Sequence, residues 1–221
     1  MTDRYDVRIA ARRDAGVWVL IGVMFLAGVW AYPNLPGRVP SHWNFRGEVD
    51  GYSGPLWGAF GVPAMALVIY LAMLFLPLID PRRENYMRFA GAYALLRWSL
   101  AGVMAAIHLI TLGAGLGYPV RTDLAMQAVM SLLVLVIGNV MGLVRQNWFV
   151  GIRTPWTLAD DEVWRQTHRV SAWVWSSAGL FGLAAMLLPA PYNFIAMLAG
   201  IMGAAVFSVI YSYVLFRRRH P

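Results

Sequence analysis

The sequence predicts an all-α protein, a polytopic integral membrane helical bundle of about six transmembrane helices with both termini in the cytoplasm. Three observations carry this. Hydrophobic residues make up 59% of the 221 and only 13% are charged, with mean hydropathy +0.57, whereas a soluble domain carries roughly 25% charged residues. The apolar residues come in runs long enough to cross a bilayer, which takes about 20 residues of helix. The arginines lie almost entirely between those runs, and their density alternates from one connection to the next.

Taken in order, the first apolar run, 16–32, follows a tail carrying Arg4, Arg8, Arg12 and Arg13. That flank has the look of a signal peptide. The run is long, however, Tyr32-Pro33 is a poor processing context and further spans follow, so it reads as an uncleaved first span. The remaining spans fall at 56–79, 89–118, 124–144, 171–189 and 194–216, with long polar loops at 33–55 and 145–170. The chain is a single membrane domain, 1–221. Its N-terminal half, 1–123, carries the 33–55 loop, and its C-terminal half, 124–221, carries the 145–170 loop.

Fourteen of the eighteen arginines sit in the N-terminal tail, 80–88, 145–170 and the C-terminal tail, while Arg38, Arg46 and Arg121 occupy the alternate segments. Cytoplasmic segments retain arginine, which puts the 145–170 loop inside, the 33–55 loop outside and the multi-pass chain in the inner (cytoplasmic) membrane. The lipid bilayer is then the main partner. A pI near 10.1 does not point to nucleic acid, because these cations set orientation in a membrane. The absence of cysteine excludes disulfides and thiolate metal sites. Glycines such as Gly28 and Gly138 within the spans read as packing residues.

In the outer loop, Pro33, Pro36 and Pro40 prevent a regular helix and Asp50-Gly51 reads as a turn pair. His42, Asn44, Glu48 and Asp50 offer imidazole and oxygen groups suited to a cation, or they satisfy the turn backbone and one another. Their spacing matches no strong metal signature, so the metal question stays open and no cofactor is implied. In the inner loop, Thr157 and Asp160 have capping-box spacing, which predicts a helix from about Leu158. Trp164 and His168 then share a face, and Asp161 pairs with Arg165. This stretch reads as an interfacial helix leading into the fifth span.

Asn147, Gly151-Ile152-Arg153-Thr154-Pro155-Trp156-Thr157, Trp164 and Thr167-His168-Arg169 resemble the signature of the SdpI family of membrane proteins. Leu35-Pro36, Pro40, His42, Asn44, Gly47 and Asp50-Gly51 resemble the domain of unknown function that opens many such proteins. The resemblance implies a six-span protein giving immunity to, or sensing, a secreted membrane-active peptide toxin. It also implies a toxin met on the outer side and a cytoplasmic regulator on the inner side. Arg153 is the inner-loop cation suited to holding carbonyls, a carboxylate or lipid phosphate.

No aspartate or glutamate falls within a predicted span, which argues against a carboxylate proton relay. Arg97 and His108 share a face of the third span, about 16 Å apart along the axis. Arg97 is expected to snorkel to the inner interface, since 98–118 can span alone. Asn139 reads as an interhelical hydrogen bond. Three spans on each side of Asp123, each half with its long loop after its first span, match a 3+3 inverted repeat. That supports the alternative of a small secondary transporter with Arg97, His108 and Asn139 along its path. No nucleophile motif is present, and the chain reads as non-enzymatic.

Overall fold

The computed structural model describes residues 5–44 and 46–220; Arg4 of the N-terminal arginine group and Phe45 of the 33–55 segment lie outside them. Among the described residues, six helices are long and apolar enough to cross a membrane. The helical rod begins before the first apolar run: α1 (Val7–Arg13) starts on Asp6, whose carboxylate accepts the N–H groups of Arg8 and Ile9. It passes through one residue, Asp14, into α2 (Ala15–Ala31).

The 33–55 segment opens in a 3₁₀ turn (Tyr32–Asn34) and is not all loop. β1 (Val39–Trp43) and β2 (Val49–Ser53) pair antiparallel, Val39 opposite Ser53 and Trp43 opposite Val49. The turn falls at Asn44 to Gly47 rather than at Asp50-Gly51, which lies within β2. Asn44 directs it, its side-chain oxygen accepting from Arg46 N (2.9 Å) and Glu48 N (3.1 Å), while Gly47 takes φ +80°. The buried Val39 seats the hairpin against Gly58 of α3 (Pro55–Ile79) and Gly115 of α4 (Ala90–Gly115).

α5 (Thr122–Met141), the short α6 (Pro155–Ala159), α7 (Asp161–Ala184) and α8 (Tyr192–Arg219) complete the chain. The capping box is Thr154 with Thr157, at the start of α6, and Asp160 caps α7 separately. No breaker lies between Asp161 and Ala184, so the expected interfacial helix and fifth span are one rod. Its first turns bury Val163, Trp164, Thr167 and His168 in the bundle rather than lying on the interface.

The helices pack as two triplets. Val17, Ile21, Met24, Tyr70, Leu74 and Ala105 form the core of α2, α3 and α4, and Val134, Ala178 and Ala204 that of α5, α7 and α8. A third cluster, including Tyr86, Tyr93, Val140, Val144 and Trp164, joins the triplets. α5 and α7 approach most closely, since a Cβ on Gly138 would lie 2.4 Å from Ser176 N and one on Gly179 2.6 Å from Leu135 N. Large apolar side chains such as Val19, Leu26, Val68, Leu109 and Trp173 face outward, as lipid-facing helices require.

Candidate functional site

Polar side chains concentrate in three places: the end of the bundle opposite the hairpin, the hairpin end, and one buried point between α2 and α4.

The chain after α5 at the first of these ends is irregular and tightly bonded. Asn147, fully buried, accepts the N–H groups of Phe149 (2.9 Å) and Val150 (2.7 Å) and donates to the carbonyls of Arg145 and Val150. Gly151 has φ +111°, and a Cβ there would lie 2.4 Å from His168 Nε2, so glycine is required twice over. That closeness lets Ile152 N–H donate to His168 Nε2 (2.9 Å). The ring proton must then sit on Nδ1, which donates to Trp164 O (2.9 Å). Trp164 stacks on His168 at 4.0 Å and its indole N–H donates to Val144 O.

Thr154 Oγ1 meets Ser212 Oγ of α8 at 3.0 Å, and Thr157 Oγ1 donates to Ile152 O (2.7 Å). Pro155 opens α6, and Trp156 packs on Tyr213. Arg153 is exposed and donates to Trp148 O (2.8 Å), a carbonyl as the sequence suggests. Asn147, Gly151, Thr154, Thr157, Trp164 and His168 of the 145–170 segment therefore converge on one clasp across α5, α7 and α8. Asp161 meets Arg82 (3.5 Å) and Arg165 pairs with Glu162, so the expected Asp161 and Arg165 pair does not form.

Sequence reasoning missed two members of this clasp. Asp80, 3% exposed, accepts from Tyr86 OH (2.9 Å), Trp148 N (3.0 Å) and Arg82 N (2.7 Å). Gln146 donates to Thr157 O (2.6 Å) and Leu158 O (3.1 Å). The buried polar residue ending an apolar run, Asp80-Pro81, was the available signal. Asp160 caps α7 through Glu162 N and Val163 N and pairs with Arg219 and His220, both at 3.1 Å. Burial pushes its carboxyl up, but the bonds from Val163 N–H, Arg219, His220 and Glu162 N–H outweigh this and hold it well below the usual carboxylate range.

At the hairpin end the four candidate ligands divide into two pairs. His42 Nδ1 meets Asp50 Oδ1 at 2.5 Å and Asn44 donates to Glu48 (3.0 Å). They staple the strands, and among the described residues no group of three His, Cys, Asp or Glu is placed to hold a metal. Beneath the hairpin lies a cavity of about 390 Å³ bounded by α3, α4, α5 and the start of α8.

Between α2 and α4, Arg97 does not snorkel. Its side chain is 3% exposed and donates through Nε to Asp14 Oδ2 at 2.6 Å, with Asp14 1% exposed. Tyr93 lies beneath the guanidinium at 5.0 Å. α4 begins at Ala90, which puts Arg97 roughly 10 Å inside the helix. Asp14, just ahead of the predicted first span, is thus a buried carboxylate in the bundle, because the helix starts before the apolar run. His108 shares the buried face of α4 and donates through Nε2 to Met24 O (3.0 Å). Asn139 is exposed on α5 and does not join them.

Fold and sites together define a six-helix, multi-pass integral membrane protein with a polar clasp at one end and a hairpin over a cavity at the other. Residues 143–212, which hold most of the clasp, match the SdpI/YfhL protein family, and residues 19–67, which hold the hairpin, match the domain of unknown function DUF1648. The chain is also 26% identical over 200 residues to the immunity protein SdpI of Bacillus subtilis (strain 168), covering 90% of this chain and 94% of that protein. No solved structure matches the chain.

Proposed function

We propose that this protein gives a cell immunity to a secreted, membrane-active peptide, or senses it, from the inner membrane with both termini cytoplasmic. The observation that carries this is the similarity to an immunity protein along 90% of the chain, spanning both the hairpin and the clasp. The arginine distribution supports the orientation, because the described arginine-rich segments gather at the clasp end. Arg82 reaches Leu158 O and Asp161, and Arg219 reaches Asp160. The hairpin would then face the toxin.

The clasp supports a second element of the reading. His42, Asn44, Glu48 and Asp50 shape the outer surface, while Gly151 to Thr157, Trp164 and His168 fix a cytoplasmic surface for a regulator. In this role the protein is non-enzymatic. Membrane potential tests it: sensitive cells with and without the protein are challenged with a panel of secreted pore-forming peptides. The potential should hold in expressing cells against one of the peptides. Equal collapse against every member refutes protection by this route.

The two helix triplets, each with its long connection after its first span, favour a transporter as the second reading. Solute flux in liposomes reports on it directly. Asn139, exposed on α5, would lie off any path through Arg97 and His108.

A further inference from the structure

A second cavity, of about 540 Å³, opens at the clasp end between the 3₁₀ segment Arg83–Phe89, the end of α5 and the start of α7. Its floor is built from groups already bonded: Asn85 donates to Gln146 O (2.7 Å), and the Trp164 indole N–H is engaged by Val144 O. Its charges do not balance. Two carboxylates line it and each has its own cation, Asp161 with Arg82 (3.5 Å) and Glu162 with Arg165 (2.5 Å). Arg88 and Arg145 line it as well, and among the described residues neither side chain makes an ion pair or a hydrogen bond. Two guanidiniums around one cavity with no counter-charge repel each other and attract an anion. The planar fork of each fits two oxygens of a phosphate, and the volume is within the range of small-ligand sites.

The position of the cavity along the bundle favours a phosphate carried by lipid. Arg88 follows the exposed Met87, and Arg145 comes two residues after the exposed Leu143. Outward-facing apolar surface gives way to cations at this cavity, which is the depth of lipid headgroups, and basic pockets between helices at that depth hold anionic lipids. We propose that Arg88 and Arg145 together bind the phosphate of an anionic phospholipid, whose acyl chains run down the bundle past Met87 and Leu143. The site stands apart from the immunity reading, since it requires only that this end of the bundle meets lipid.

Native mass spectrometry of the full-length protein in maltoside micelles counts bound lipids. Titration with phosphatidylglycerol should show one site that fills first, and Arg88→Gln and Arg145→Gln should each raise the concentration that half-fills it about tenfold, the worth of one charge-assisted bond. Arg83→Gln and Arg217→Gln remove arginines of the same end that do not line the cavity and should leave that concentration unchanged. All four side chains are exposed, so the variants keep the fold. Zwitterionic phosphatidylethanolamine should fill the site more weakly, because its ammonium meets the same two cations. Inorganic phosphate at the lipid's concentration should not displace the lipid. Equal losses in all four variants, or equal filling by both lipids, would reduce the effect to net charge or to lipid in general. Unchanged binding in the Arg88 and Arg145 variants would remove the site, and displacement by inorganic phosphate would make the ligand the free anion. Each of these results overturns the proposal.

Discussion

Asp14→Ala should destabilise this protein as strongly as almost any single substitution in it, and Arg97→Met should do the same. The two side chains are 1% and 3% exposed and meet at 2.6 Å. Removing either leaves the other as an uncompensated charge in a low-dielectric interior, which costs about 3–5 kcal/mol. The magnitude is not a lost helix cap, because the Asp14 side chain makes no capping bond to α2. The pair is also incompletely satisfied: Asp14 Oδ1 and Arg97 Nη1 are buried without partners, and Tyr70 OH reaches Asp14 only at 3.4 Å. Its own desolvation is therefore poorly repaid, and the double variant should be more stable than either single one. Unfolding by SDS in mixed micelles, followed by circular dichroism, measures all four corners of the cycle. Single losses below about 1 kcal/mol, or a double loss equal to the sum of the singles, would refute the assignment of a buried ion pair.

Gly151→Ala should loosen the clasp by at least about 1–3 kcal/mol, since its Cβ would displace His168 from Ile152 N–H at φ +111°; amide exchange at Ile152 reports it. Asp160, whose carboxyl the fold holds low, lends stability that is complete above its unfolded pKa near 3.9. That stability is lost as pH falls further towards the folded value, so exchange at residues 217–220 should rise only in acid. Asp160→Asn should raise it at neutral pH while keeping α7 capped. Single cysteines replacing Gly37 and Arg153, both exposed, should react with an impermeant maleimide from opposite faces of the membrane. Labelling of both from one face would overturn the proposed orientation. Gly138→Leu should separate α5 from α7, because its Cβ already has no room against Ser176; a raised midpoint of SDS unfolding would contradict that close crossing.

Much of the fold was legible before any coordinates. The ends of α3 at Pro55 and Ile79 lie within a residue of the predicted 56–79 span, because Gly54-Pro55 and Asp80-Pro81 punctuate the apolar run. The clasp was legible as a set of residues, though not as a mechanism. That His168 bonds Ile152 N–H follows from α7 being one rod, which neither the i, i+4 spacing of Trp164 and His168 nor the capping spacing at Thr157 revealed. Asp80 and Gln146 were missed because each looks like an ordinary residue at the water-facing end of a span.

The sequence by itself determined that six helices cross a membrane and which connections share an end. Crossing a bilayer demands only length and apolarity, and arginine placement is a local property of each connection. Only the tertiary structure decided that Arg97 is buried against Asp14 and that Asn139 faces outward. It also revealed a hairpin closing over a cavity that Gln127 of α5 helps to line. Those outcomes depend on where a helix starts, how it is rotated and which neighbour it meets, and none of these is fixed by composition along a single segment.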